Sequence, residues 1–290
     1  MNHLNLFIEL TRLKKPIGFM LLFWPCAWGL TLAYDFSNNL NNYVFYLTLF
    51  FLGSVLMRSA GCIVNDISDK KFDQKVSRTK KRPIASNKIS IKQGIFYTLM
   101  LCLFALLVLI NFNQLTIILA LSSMPLAFTY PLMKRFTYWP QLFLGITFNY
   151  GLILGWISIK NNIDIVPIIF YIGAIFWTLA YDTMYGFQDI KDDEIIGVKS
   201  TSIKFKENPK LFITICYLIF TFSIVTIGFL MSFNYIFYLL SLVAVIHLFF
   251  YQIRNLNINN SKNCLKIFKS NNLLGFFVFL NILISKLIIT

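Results

Sequence analysis

Residues 43 to 64 read YVFYLTLFFLGSVLMRSAGCIV, and residues 65 to 73 continue NDISDKKFD. The first run carries one charge, Arg58, in 22 residues. As a helix rising about 1.5 Å per residue it would cross the hydrocarbon core of a bilayer, roughly 30 Å thick. Its end is marked by an abrupt change to Asn65, Asp66, Asp69 and Asp73. The junction thus joins a membrane-spanning helix to a carboxylate cluster at the membrane surface.

The rest of the chain follows the same rule. Of 290 residues, 57% are hydrophobic and only 13% charged, with 31 Phe, a composition too apolar for a soluble domain. Nine apolar segments are long enough to span, at roughly 17–34, 43–64, 92–110, 115–131, 139–158, 165–184, 211–231, 234–252 and 272–289. Lipid cannot solvate bare peptide groups, so these segments are expected to be helices of an all-α integral membrane protein. The first segment is followed at once by the second and lacks a small-residue cleavage signature, so it reads as retained. No stretch resembles a separate soluble domain, and residues 1–290 are expected to act as one transmembrane domain.

The net charge of +14 raises the question of nucleic acid, which the positions of the cations answer. With the N-terminus cytoplasmic, 23 of the 26 Lys and Arg fall on the cytoplasmic side of the nine-helix layout. Lys160 and Lys286 lie opposite and Arg58 lies within a helix. This is the positive-inside pattern, facing anionic lipid, and no nucleic-acid partner is expected. Nothing in the chain points to a protein partner. The five cysteines show no C-x-x-C spacing, and the two histidines, His3 and His247, are far apart. Neither a disulfide framework nor a His-centred triad is indicated.

The acidic residues are concentrated. Eight of twelve fall in two clusters, Asp66, Asp69, Asp73 and Asp182, Asp189, Asp192, Asp193, Glu194. Their intervals of three, four and seven place carboxylates on one face of a helix. Like charges so close repel, and acids at helix C-termini also oppose the macrodipole. A divalent cation would offset both effects. Oxygen ligands without His or Cys favour Mg2+, which is usually shared with substrate phosphates, so two facing clusters suit a diphosphate. Arg78, Arg82 and Lys199 stand nearby to neutralise remaining phosphate charge. Arg58, costly in a membrane helix, suits an anionic group on a second substrate. Tyr130, Tyr181 and Tyr185 adjoin the charged loops, where ring faces could stabilise a carbocation. The shared pattern of clusters after the second and sixth helices also suggests an internal repeat, though four plus four helices leave one over.

Several strings together resemble a known family: Arg12-Leu13-x-Lys15-Pro16-Ile17-Gly18, Trp24-Pro25-x-x-Trp28, Met57-Arg58-x-Ala60-Gly61-Cys62-x-x-Asn65-Asp66-x-x-Asp69-x-x-x-Asp73 and Arg78-Thr79-x-x-Arg82-Pro83. Thr129-Tyr130-Pro131-x-x-Lys134-Arg135, Tyr181-Asp182-Thr183-x-Tyr185, Asp189-x-x-Asp192-Asp193 and Gly197-x-Lys199-Ser200-Thr201 complete the match, which covers about residues 12 to 205. It resembles the UbiA prenyltransferase family and, through the Tyr181 to Tyr185 element, its 4-hydroxybenzoate branch. Gly186-Phe187 departs from the Ala followed by Met or His expected there.

The resemblance implies a helical bundle with a central cavity capped by two Asp-rich cytoplasmic loops, in a bacterial inner membrane. It implies Mg-dependent transfer of a polyprenyl chain from its diphosphate to 4-hydroxybenzoate, an early step of ubiquinone synthesis. By position, Asn65, Asp66, Asp69, Asp73, Asp189 and Asp193 would hold Mg-diphosphate. Arg58 or Arg135 would meet the acceptor carboxylate, and Tyr130, Tyr181, Asp182 and Tyr185 would line the substrates. The alternatives are a sister enzyme acting on haem or a naphthoate, or an ion-coupled transporter. A transporter would be expected to place its acids at midplane, not at one face.

Overall fold

The computed structural model describes residues 3–289, and among these every regular element is helical. A short helix α1 (His3–Thr11) precedes α2 (Ile17–Ala33) and α3 (Leu40–Ser68), which leads into the single turn α4 (Lys70–Asp73). A long basic loop connects to α5 (Ile91–Leu109), and α6 (Gln114–Ser122) and α7 (Met124–Thr129) continue into a 3-10 turn, Tyr130–Arg135. Then come α8 (Pro140–Lys160), α9 (Ile165–Gly186), and two short surface helices, α10 (Ile190–Ile196) and α11 (Thr201–Lys204). The chain ends with α12 (Pro209–Leu230), α13 (Tyr235–Val245) with a π-helical continuation (Ile246–Ile253), and α14 (Ser261–Ile289).

Eight of the described segments are long and apolar enough to cross a membrane. The ninth expected span, α2, has 17 residues and is about one turn short of a full crossing. The expected count of nine therefore corresponds to these eight and α2. Large apolar side chains such as Phe222, Phe229, Phe250 and Leu99 are exposed in a way that only lipid would tolerate. The protein is a multi-pass membrane protein.

The buried core runs along α2, which packs against α3, α8, α9 and α14. Its contact with α8 is set by small residues. A Cβ on Gly29 would lie 1.9 Å from the Leu152 carbonyl oxygen, and one on Gly155 would lie 2.4 Å from that of Cys26. Only glycine lets the two backbones approach so closely. The other side of α2 is pinned by its two tryptophans, which are one turn apart. The Trp24 indole donates to Asn272 Oδ1 at 2.9 Å and the Trp28 indole to the Gly275 carbonyl at 2.9 Å.

The last span differs from expectation. It begins at Ser261, eleven residues before the predicted start at 272, because its polar residues are satisfied inside the bundle. Asn271 accepts from the Trp177 indole at 2.8 Å and from Gln252 at 3.1 Å, so a polar stretch that reads as loop is a paired part of the core.

Candidate active site

The first cluster lies where α3 runs out. Asp66 is in its last turn, Asp69 caps it, and Asp73 closes α4. Backbone bonds from Asp69 to Asn65 and from Asp73 to Asp69 keep the chain helical through the break, so the 66, 69, 73 spacing holds its face. All three are buried, Asp66 to 1% exposure, and Asn65 is half-buried beside them.

The second cluster is divided. Helix α9 ends at Gly186, Asp189 caps α10, and Asp193 lies within α10. The interval of seven between Asp182 and Asp189 therefore spans a break, and does not set these two on one helical face as the spacing alone suggests. Asp182 stays in α9 within electrostatic reach of Arg58, and Asp189 and Asp193 form the cap.

Basic side chains from distant parts of the chain hold these carboxylates. Asp66 Oδ1 accepts from Arg12 Nη2 at 2.6 Å and from Arg82 Nη1 at 3.1 Å. Arg82 also reaches Asp73 Oδ2 at 2.8 Å, and Lys134 Nζ reaches Asp69 Oδ2 at 2.5 Å. Arg78 forks onto both oxygens of Asp189, and the Ser77 amide donates to Asp192 Oδ2 at 3.1 Å. The basic loop thus straps the two clusters together. A recess of about 280 Å³ opens beside it between Lys75, Asp192, Ile195 and Ile196.

Arg12 and Lys134 are partners that residue reasoning did not assign. Arg12 directly follows α1 with φ at 57°, a left-handed conformation uncommon for such a residue and of the kind found where a side chain is held for a purpose. The signal was present in the Arg12 and Lys134 motif strings, but any cytoplasmic cation is already accounted for by topology.

The remaining expected residues separate into groups. Tyr185 accepts from Arg78 Nη1 at 3.2 Å, and its ring lies under the Arg78 guanidinium at 5.5 Å and against Phe268 at 4.5 Å. Tyr181 is 1% exposed, its ring enclosed by Trp177 and Phe268 and its hydroxyl accepting from Thr178. Arg58 stacks on Phe148 at 5.1 Å, with the Tyr130 hydroxyl in electrostatic reach. Gly18 makes room for it, since a Cβ there would lie 2.7 Å from Arg58 Nε. Arg135 instead clamps the end of α3, donating to the Ser68 carbonyl at 2.6 Å. Lys199 reaches the Phe136 carbonyl at 3.3 Å, while its backbone amide donates to Lys134. Gly186 faces inward, where a Cβ would lie 2.2 Å from Ser202 Oγ, and Phe187 is buried at 2%. The departure at Gly186-Phe187 is thus a packing feature between α9 and α11.

A hard cation needs oxygen donors that are not already committed. Among the described residues no three acidic, His or Cys groups form a ready-made metal cage. Two buried oxygens of the first cluster, Asp66 Oδ2 and Asp69 Oδ1, nevertheless have no hydrogen-bond partner. Leaving a buried charged acceptor unsatisfied costs several kcal/mol, on the order of 1–3 or more. Burial pushes Asp69 and Asp73 above the usual carboxylate range despite Lys134 and Arg82, and burial together with Asp189 pushes Asp193 up to about 6. Buried carboxylate oxygens left without a hydrogen-bond donor, Asp66 Oδ2 and Asp69 Oδ1, fit Mg2+, completed by ligand or water.

A profile of the UbiA prenyltransferase family matches residues 22–281. The chain belongs to the UbiA prenyltransferase family. The mitochondrial 4-hydroxybenzoate polyprenyltransferase of Bos taurus is 42% identical over 287 residues, covering 97% of this chain and 75% of that protein. Among solved structures, a UbiA homolog from Aeropyrum pernix K1 superposes with a TM-score of 0.72 at 18% identity, over 93% of this chain and 97% of that one. A UbiA homolog from Archaeoglobus fulgidus, solved bound to GPP and Mg2+, gives 0.67 at 16% identity over 96% and 99%. These structures share the fold. The UbiA chain described here is accordingly a membrane-embedded prenyltransferase.

Proposed function

We propose that this enzyme transfers a polyprenyl chain from its diphosphate to the ring carbon next to the phenol hydroxyl of 4-hydroxybenzoate, with Mg2+, in ubiquinone synthesis. The observation that carries the reading is the pair of unpartnered oxygens on Asp66 and Asp69, facing a strap of cations anchored on Asp73 and Asp189. It is supported by the names of relatives about 40% identical over nearly the whole chain.

Asn65, Asp66, Asp69, Asp73, Asp189 and Asp193 would hold the metal. When bound, Mg2+ would draw charge from the leaving diphosphate and ease ionisation of the allylic C–O bond. The chain supplies the rest. Arg12, Arg78, Arg82 and Lys134 already surround the carboxylates and are placed to turn their donors towards phosphate oxygens. Lys199, tied to Lys134 through the backbone, would complete that edge. Arg58 would take the acceptor carboxylate, with Tyr130 and Asp182 beside it, orienting the ring for attack. Tyr185 offers an aromatic face near the allylic carbon, Tyr181 supports that wall from within the core, and the bundle excludes water from the carbocation.

The whole chain, 1–290, would work as one unit in an inner membrane that carries quinone, of a bacterium or, as the relatives' names have it, of a mitochondrion. Competition among acceptors tests the reading. Given equal 4-hydroxybenzoate, haem precursor and dihydroxynaphthoate, the purified enzyme should prenylate 4-hydroxybenzoate alone. Preference for either other acceptor would move it to a sister branch.

Orientation is part of the proposal. The 23-to-2 asymmetry of Lys and Arg in the loops supports an orientation with the N-terminus and both aspartate loops in the cytoplasm and the C-terminus opposite. Reporter fusions after Lys88 and after Thr290 should give opposite readouts. Identical readouts would contradict an odd number of crossings.

A further inference from the structure

Helix α14 is longer than a membrane requires. Its 29 residues span about 43 Å, so roughly nine lie beyond a hydrocarbon core of about 30 Å. The first nine, 261–269, contain Lys262, Lys266 and Lys269, all exposed. Their spacing of four and three places them on one face, and the same stripe continues at Leu273 and Phe276, which are 48% and 38% exposed. Leu273 is on the lipid side of the bundle and Phe276 at its edge, where the ring also packs on Trp24 at 5.7 Å, because α14 buries Cys264, Ile267, Asn271 and Leu274 on its other face.

The three lysines therefore stand on the lipid-facing stripe, above its apolar part. Lys269 and Lys266 lie about 6 and 10 Å along the axis from Leu273, the depth of the headgroup layer once a flexible lysine stem is allowed for. After Glu207 the sequence contains no Asp or Glu, and among the described residues none of the three lysines makes an ion pair.

We propose that this stripe is a binding site for an anionic phospholipid, whose phosphate group engages Lys266 and Lys269, with Lys262 at the outer edge, and whose chains cover Leu273 and Phe276. Continuity with an apolar, lipid-exposed face is what selects a lipid over free phosphate. A positive-inside signal needs charge on this side of the membrane but not a one-face register in line with acyl-contacting residues. The site also borders the reaction centre, since Phe268, in the same turn, packs on Tyr185 at 4.5 Å. The proposal does not depend on which acceptor the enzyme uses.

The full chain, purified in mixed micelles of phosphatidylglycerol and phosphatidylcholine, allows a direct test by mass spectrometry of the retained lipids. The native protein should prefer phosphatidylglycerol. Each lysine removed should weaken that preference about fivefold, so Lys266→Gln and Lys269→Gln singly give a partial loss and the triple glutamine variant a loss of about a hundredfold. The triple arginine variant should keep it. Inorganic phosphate at equal concentration should not displace the lipid. The proposal is overturned if the native protein shows no preference, if the glutamine variants match it, or if inorganic phosphate competes. Should the triple variant fail to fold, the single variants and the native preference decide the matter.

Discussion

Asp69→Ala, Asp73→Ala, Asp189→Ala and Asp193→Ala are each expected to lower turnover by at least roughly 100-fold, the scale on which removing one preorganised electrostatic group acts. Asp69 has the largest expected loss. It carries one of the two unpartnered buried oxygens and is the contact that holds Lys134 at the rim, so its removal would take away a proposed ligand and leave a cation unplaced. Asp189 anchors Arg78 and with it the strap between the two clusters. Activity should vanish with chelator and return with Mg2+. Turnover measured on variants that keep the native size-exclusion profile checks this. Near-native rates in any two of the four would contradict a diphosphate site built from both clusters.

The second large effect concerns the acceptor. Arg58→Lys keeps the charge but loses the planar fork, and it should raise KM for 4-hydroxybenzoate by about 10- to 100-fold while leaving KM for the prenyl diphosphate nearly unchanged. The expected range reflects a charge-assisted hydrogen bond of about 1.5–3 kcal/mol. Arg58 rests on an aromatic ring, with Tyr130 and Asp182 within electrostatic reach and no ion pair among the described residues, so its guanidinium would be available to a ligand carboxylate. Arg135→Lys should have the smaller effect on the acceptor, because its guanidinium is already committed to the Ser68 carbonyl. Steady-state kinetics with each substrate varied in turn distinguishes the two arginines. Weakening of the donor alone in both variants would place them at the diphosphate.

The helical spans were readable in the sequence because a membrane imposes a simple rule. Apolar length fixed the spans, and the 66, 69, 73 spacing survived a helix break because backbone hydrogen bonds carry the turn through Asp69. What was not readable depends on contacts distant in sequence. Arg12 meets Asp66 across 54 residues and Lys134 meets Asp69 across 65, and nothing local marks either cation from its neighbours. The start of α14 was hidden for the same reason. Asn271 and Asn272 look like loop residues until Trp177 and Trp24 are brought to them by other helices. Gly186 departs from the residue expected in its string, yet a Cβ there would meet Ser202 Oγ at 2.2 Å, and the position of Ser202 follows from α11 and not from the motif around Gly186.

Loaded with Mg2+, the two aspartate clusters are proposed to move a prenyl group onto the carbon next to the phenol hydroxyl of 4-hydroxybenzoate. Purified protein in lipid should be incubated with 4-hydroxybenzoate, Mg2+ and a series of prenyl diphosphates, and the product analysed by mass and by the ring-proton pattern in NMR. The account predicts 3-prenyl-4-hydroxybenzoate, formed with metal and absent with chelator. A product prenylated elsewhere, the same product formed in chelator, or none with any chain length would contradict it.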